Sequence, residues 1–319
     1  MINKQTPAEW LDVPLSSGML GVGEAHAISW RSFGQVDAMP VLVLHGGPGS
    51  GSNARHLSFF DPRRHRVIMF DQRGSGESTP AGATTANTTA DLIADIEQLR
   101  QMLGIDRWLV FGVSWGACLA VLYAQTHPVA CSGVVLSGLS NRHDWQTRWI
   151  LETRARLLPE RHDAFLGALP PTDRADPIAA WYRLSQSSAR ADQLLATYAV
   201  WVLEEGLEGA EPESLPAMTL TGIDPAMMQR ARIYLHYWAH KTFLTHGQLL
   251  FNPGALATMP VVMVHGEADW VCPLSGARQF ADSVPSIRLV VVPKAGHSAY
   301  DSAVTAVLRD SILALSGAG

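Results

Sequence analysis

Cysteine is scarce in this chain: Cys118, Cys131 and Cys272 are odd in number and far apart. That argues against a disulfide framework and for buried thiols in a reducing cytoplasm. Long apolar runs are missing as well. No stretch approaches the roughly 18 residues needed to span a bilayer, and the opening segment MINKQTPAEWLDVPLSSGML lacks the continuous apolar core of a secretory signal. Charged residues make up only 17% and the net charge is −5, so neither a nucleic acid nor an anionic membrane is an expected partner. No group of His, Cys and carboxylate residues has metal-ligand spacing, so no metal is expected. What the chain does have is 47% apolar residues in a length of 319. That suffices for one large domain, or a domain with a substantial insertion, around a sizeable core.

Short β-branched runs punctuate the sequence: PVLVLHG (40–46), RVIMFDQRG (66–74), RWLVFGVSW (107–115), SGVVLSG (132–138), PVVMVHG (260–266) and IRLVVVP (287–293). Runs apolar on both faces and separated by helical stretches fit a buried parallel sheet. The clearest helix is 88–104, with Thr88 as its cap, Asp91 in the first turn, Leu92, Ile96, Leu99 and Leu103 at helical spacing, and Gly104 at its end. The pattern is that of an α/β protein. Between 140 and 255 the strand runs stop and the sequence reads as helix after helix. Five of the ten tryptophans lie there: Trp145, Trp149, Trp181, Trp201 and Trp238. Most of them are expected to form a subdomain core, with a few lining a pocket at the carboxyl edge of the sheet. The expected division is a core of 1–139 and 256–319 with a helical cap of 140–255.

Gly112-Val-Ser114-Trp-Gly116 follows one predicted strand and opens a predicted helix. In that context G-x-S-x-G reads as a nucleophile elbow. A serine hydroxyl needs a base to take its proton and a carboxylate to orient that base. Two later strand ends supply candidates in the order the elbow predicts: Asp269 in HGEADWVCP and His297 in KAGHSAYD. Glu267 competes with Asp269 for the acid but sits less deep in its loop. HGGPGSG (45–51) then reads as a loop whose backbone approaches a developing oxyanion, with Gly47, or alternatively Gly46, and the N–H of Trp115 as donors. The loop lacks the Lys-Ser/Thr ending of a phosphate-binding P-loop.

Nearly end to end, the chain resembles the prolyl iminopeptidases, α/β-hydrolase peptidases that remove an N-terminal proline. The likeness is carried by SGML, HGGPGSG, FFDPRRHRVIMFDQRGSGES, NTTADLIADIEQLRQMLGIDRWLVFGVSWG, YAQTHP, HGEADWVCPL and AGHSAYD. It implies an α/β-hydrolase fold with a mostly parallel sheet flanked by helices. A helical cap is inserted before the strand preceding Asp269, and no metal or cofactor is used. Asp71 and Arg73 of DQRGSG read as a structural turn near the site. Where the family has W-S-V-W-E in its cap, with a glutamate that helps hold the substrate's amino group, this chain has YAVWVLEEG, which puts Val202 at that glutamate and leaves Glu204 and Glu205 nearby. The family's A-R-I-E-N-H-Y-F is ARIYLHYW here, so Tyr234 replaces a second glutamate while Trp238 keeps an aromatic. Trp201, Tyr234 and Trp238 would form a flat apolar pocket. The family's G-G-S-W-G-S is GVSWGA. The expectation is a serine hydrolase of amide or ester bonds acting on a small molecule or short peptide. The alternatives are an acyl hydrolase or acyltransferase acting on a substrate without a free amine, and a non-catalytic binding protein. No oligomeric state is specified.

Overall fold

The computed structural model describes residues 10, 13–139, 149–153, 158–204, 206–211, 219–245, 247–250, 253–284 and 286–317. Among them one sheet is formed by β1 (Ser16–Gly23), β2 (His26–Gly34), β3 (Met39–Leu44), β4 (His65–Phe70), β5 (Trp108–Val113), β6 (Cys131–Ser137), β7 (Val261–Gly266) and β8 (Ile287–Val292). Their spatial order is β1-β2-β4-β3-β5-β6-β7-β8. β2 pairs antiparallel with β1 and with β4, and every pairing beyond β4 is parallel.

The six parallel strands coincide with the six apolar runs, and their alternation explains why both faces are apolar. Along β5, Trp108 and Val110 enter one buried cluster while Leu109 and Phe111 enter the other. β3 repeats this with Leu42 and Leu44 against Val41 and Val43. Each such side chain taken from water contributes about 1.5–3 kcal/mol. The first two strands are not expected from the sequence. β1 holds three glycines in SSGMLGVG and buries residues only on alternate positions, so it reads as turn rather than strand. Glu24 and Ala25, both at positive φ, close the hairpin.

Helices α1 (Thr89–Met102) and α2 (Trp115–Thr126) lie between strands of the first half. Thr88 and Asp91 cap α1 reciprocally: Asp91 N–H donates to Thr88 Oγ1 at 3.3 Å and Thr88 N–H to Asp91 Oδ2 at 2.9 Å. Between β6 and β7 come α3 (Pro159–Gly167), α4 (Pro177–Ser185), α5 (Arg190–Glu204), α6 (Pro225–Ala239) and the short α7 (Pro253–Leu256). α8 (Leu274–Ser283) and α9 (Ser302–Ser316) complete the chain. α3 to α6 share their own apolar cluster, which includes Phe165, Trp181, Val202 and Tyr234. Trp181 belongs to that core, its indole donating to the Phe165 carbonyl at 3.2 Å; Trp145 lies outside the described residues.

α6 is locked onto the loops beneath it. Tyr237 Oη donates to Asn87 Oδ1 at 2.9 Å, His236 Nε2 to the Asn87 carbonyl at 3.0 Å, and Gln229 Nε2 to the Gly74 carbonyl at 2.7 Å. A second tie follows α5. Ser298 N–H donates to the Glu208 carbonyl at 2.9 Å, and the Trp270 indole to the Ala210 carbonyl at 2.9 Å. The backbone of Gly209 packs so closely on Gly296 that a Cβ there would lie 2.2 Å away.

Candidate active site

The parallel register brings five strand ends together: Leu44 pairs with Gly112, Val113 with Ser137, Ser137 with Val264, and Gly266 with Val292. The loops leaving this edge carry 45–51, Ser114, Gly138, Asp269 and His297. Chain direction alone therefore delivers the predicted residues to one rim.

Ser114 turns β5 into α2 in a single residue, at φ 56° and ψ −117°. That conformation is costly for a residue with a Cβ, of order 1–3 kcal/mol, and is held only by what surrounds it. Its N–H donates to the Ser137 carbonyl at 2.8 Å, and its carbonyl accepts from Ala117 N–H at 2.9 Å. The flanking glycines make the turn possible by proximity. A Cβ on Gly112 would stand 2.2 Å from the Gly116 carbonyl oxygen, and one on Gly116 would stand 2.0 Å from that of Leu44. Helix, elbow and β3 touch backbone to backbone.

Asp269 is buried, and its two oxygens have separate duties. Oδ1 accepts from the N–H groups of Val271 and Cys272 at 2.9 and 2.7 Å, and Oδ2 from His297 Nδ1 at 2.7 Å. Burial opposes its ionised form, but the charge and hydrogen bond of His297, helped by His265 and the Cys272 N–H, outweigh it and lower its pKa. For His297 burial also opposes charge, yet the Asp269 carboxylate prevails, assisted by Glu208 and Glu204, and the pKa is raised. Glu267, the competing acid, is exposed and accepts from the Lys294 N–H at 3.1 Å. Gly138 links the three residues. It follows Ser137, which receives the Ser114 N–H, and a Cβ on it would meet His297 Cε1 at 2.9 Å and Asp269 Oδ2 at 3.7 Å. Ser114 is half-buried and the His297 side chain keeps 10% exposure, so both are open to a ligand.

The 45–51 loop lies against the elbow: a Cβ on Gly46 would sit 3.3 Å from Ser114 Cβ, and one on Gly47, at φ 111°, would sit 2.7 Å from Gly49 N. Gln72 joins this loop to the elbow, a role not read from the sequence. Its side chain donates to the His45 carbonyl at 3.0 Å and accepts from the Trp115 indole at 2.9 Å, while its own N–H donates to His45 Nε2 at 3.1 Å. His45 is thereby an Nδ1–H tautomer that donates to the Gly46 carbonyl at 2.9 Å, and burial lowers its pKa. The only advance signal for Gln72 is its place inside DQRGSG. Its neighbours are structural, as expected. Asp71 accepts from Ser52 N–H, Ser52 Oγ and Glu77 N–H, and Arg73 pairs with Asp95 through two bonds of 2.7 Å.

Val202 and Tyr234 are buried in the apolar cluster of α3 to α6, and Trp201 and Trp238 pack at its margin, with Trp238 stacked on Tyr234. Glu204 forms a 2.6 Å ion pair with Arg230, and Glu205 lies outside the described residues. Among the described residues no cluster of potential metal ligands occurs, and no helix is long and apolar enough to cross a membrane.

A family model described as alpha/beta hydrolase fold matches residues 39–304. A proline iminopeptidase of Xylella fastidiosa strain Temecula1 is 40% identical over 290 residues, covering 90% of this chain and 92% of its own. A probable proline iminopeptidase of Leptolyngbya boryana is 37% identical over 312 residues, 93% of each chain. Among solved structures, the proline iminopeptidase of Mycobacterium smegmatis superposes with a TM-score of 0.61 at 21% identity, over 94% of this chain and 99% of its own.

Proposed function

The chain belongs to the α/β-hydrolase family and, within it, to the proline iminopeptidases, and from that premise we propose that Ser114, His297 and Asp269 release an N-terminal proline from short peptides. The protein is a serine hydrolase of the proline iminopeptidase type. The observation that carries the residue assignment is the strained Ser114 elbow set, through Ser137–Gly138, beside the 2.7 Å pair of His297 and Asp269. In this reading Ser114 Oγ attacks the scissile carbonyl and His297 takes its proton. The N–H groups of Gly47 and Trp115 face the resulting oxyanion. His297 then returns the proton to the leaving amine, and water hydrolyses the acyl-enzyme. Asp269 holds the imidazole with Nδ1–H toward itself, which leaves the other nitrogen to act as base.

A substrate ammonium needs a counter-charge, since leaving it unpaired on burial costs several kcal/mol. Val202 and Tyr234 cannot supply one. The carboxylates of Glu204 and Glu208, whose charges both act on His297, are our candidates for the edge that receives it. Residues 140–255 serve as the cap over a core of 1–139 and 256–319. The three cysteines are buried and form no disulfide, which fits work in the cytoplasm.

The test is proline p-nitroanilide against its N-acetylated form, with Ser114→Ala as control. The free-amine substrate should be cleaved and the acetylated one refused, and the alanine variant should lose about 10⁴-fold or more in kcat while keeping its unfolding midpoint. Equal turnover of both substrates would defeat the iminopeptidase reading, and an active Ser114→Ala would defeat the nucleophile assignment.

A further inference from the structure

His265, in β7, stands four residues before Asp269, and neither side chain is exposed. Its Nε2 lies 2.7 Å from the Cys272 carbonyl. A carbonyl only accepts, so the proton is on Nε2. The same nitrogen is 3.4 Å from Asp269 Oδ2, the oxygen that holds His297. Cys272 is the residue whose N–H grips Asp269 Oδ1. The imidazole therefore secures one side of the peptide turn that secures the carboxylate. Its other nitrogen, Nδ1, is buried with no hydrogen-bond partner among the described residues. A leucine would fill this place without that cost, so packing alone does not account for a histidine here.

We propose that His265 is a positioning residue for the acid–base pair. It fixes the 269–272 turn through the Cys272 carbonyl, so that Asp269 presents Oδ2 to His297, and its Nε2 stands 3.4 Å from the same oxygen. This inference rests on the triad assigned above. Burial lowers the pKa of His265 against the pull of Asp269, so it acts as a neutral dipole and leaves the carboxylate's charge for His297. The charged groups facing His297 are Asp269, Glu208 and Glu204; those facing His265 are Asp269 and His297.

The full chain is assayed on proline p-nitroanilide as His265→Leu and His265→Gln, beside Asp269→Asn. Leucine should lower kcat by about 10²-fold, the order expected when a reacting group drifts by an ångström, with KM unchanged. The acid limb of kcat/KM should move to lower pH, because a looser Asp269 no longer raises His297. The low-field proton resonance of the His297–Asp269 hydrogen bond should weaken in parallel. Glutamine, able to reach the Cys272 carbonyl, should restore most of kcat. The unfolding midpoint of the leucine variant should barely move, since one hydrogen bond and one unpaired nitrogen vanish together. A leucine variant with normal kcat and an unmoved acid limb overturns the inference. If that variant does not fold, His265→Asn, too short to reach the carbonyl, is read for the same two outcomes. An active Asp269→Asn instead overturns the triad beneath it.

Discussion

Replacing Gly116 by alanine adds one methyl group where the chain has no room for it. The new Cβ would lie 2.0 Å from the Leu44 oxygen, 2.6 Å from its carbonyl carbon and 2.8 Å from the His45 oxygen, where separations under 3.0 Å essentially never occur. Both sides are backbone, one in the sheet and one in the first turn of α2, so neither can step aside by changing rotamer. Relief requires that α2 retreat by about 1 Å from β3. Overpacking of this kind costs about 1–3 kcal/mol, and a backbone clash belongs at the upper end. The larger effect is on catalysis. The retreating turn carries Ser114 and Trp115 away from the 45–51 loop, and a displacement of about 1 Å lowers rate by about 10²-fold. Urea unfolding gives the first quantity. Turnover of proline p-nitroanilide, corrected by fluorophosphonate titration of reactive serine, gives the second. A Gly116→Ala protein with unchanged midpoint and kcat would refute the account of the elbow.

Three further outcomes concern pH. In the proposed mechanism His297 must be neutral to take the serine proton, and its pKa is raised. The acid limb of kcat/KM should thus fall above the ordinary histidine value of about 6.5, with Asp269, whose pKa is lowered, ionised throughout. Glu208→Gln removes one of the charges responsible and should shift that limb to lower pH; an unmoved limb would show that Glu208 does not act on the base. Stability has its own dependence, because His56 and His236 are buried and each is pushed down to about 4. Both stay neutral in the folded chain between about pH 6.5 and 4 while the unfolded chain takes up protons. Stability should therefore drain away as pH falls through that window, by up to about 3 kcal/mol for each histidine. A urea midpoint that is level from pH 7 to 4.5 would contradict this.

The parallel strands were legible because β3, β5, β6 and β7 each carry consecutive apolar residues (VLVL, WLVF, VVL and VVMV), a signal that needs no tertiary information. Ser114, Asp269 and His297 were legible for a related reason: each follows such a run, so strand direction puts them on a common edge. β1 was not, since its glycines outweigh an alternation of only a few residues. Gln72 and His265 were hidden by the nature of their work. Each bonds residues distant in sequence or through main-chain carbonyls, and no spacing rule announces a side chain whose partner is a backbone oxygen. Glu208 was missed because what brings its segment to His297 is a carbonyl bond to Ser298, which any residue could make.

The segment after α5 has a bearing on how this protein could be rebuilt. Carbonyls of Glu208 and Ala210 hold Ser298 and Trp270, the immediate neighbours of His297 and Asp269. The helices between β6 and β7 are therefore not interchangeable with another protein's without consequence for these two loops. A chimera that exchanges them for another protein's helices also removes two hydrogen-bond acceptors from the loops bearing His297 and Asp269. Grafts that retain 206–210 and join the foreign helices outside it preserve those acceptors. Drift in substrate preference meets the same boundary: α5 and α6 can change only at side chains outside the buried cluster and the ties to Asn87 and Gly74, and the path of the main chain past His297 is held as well.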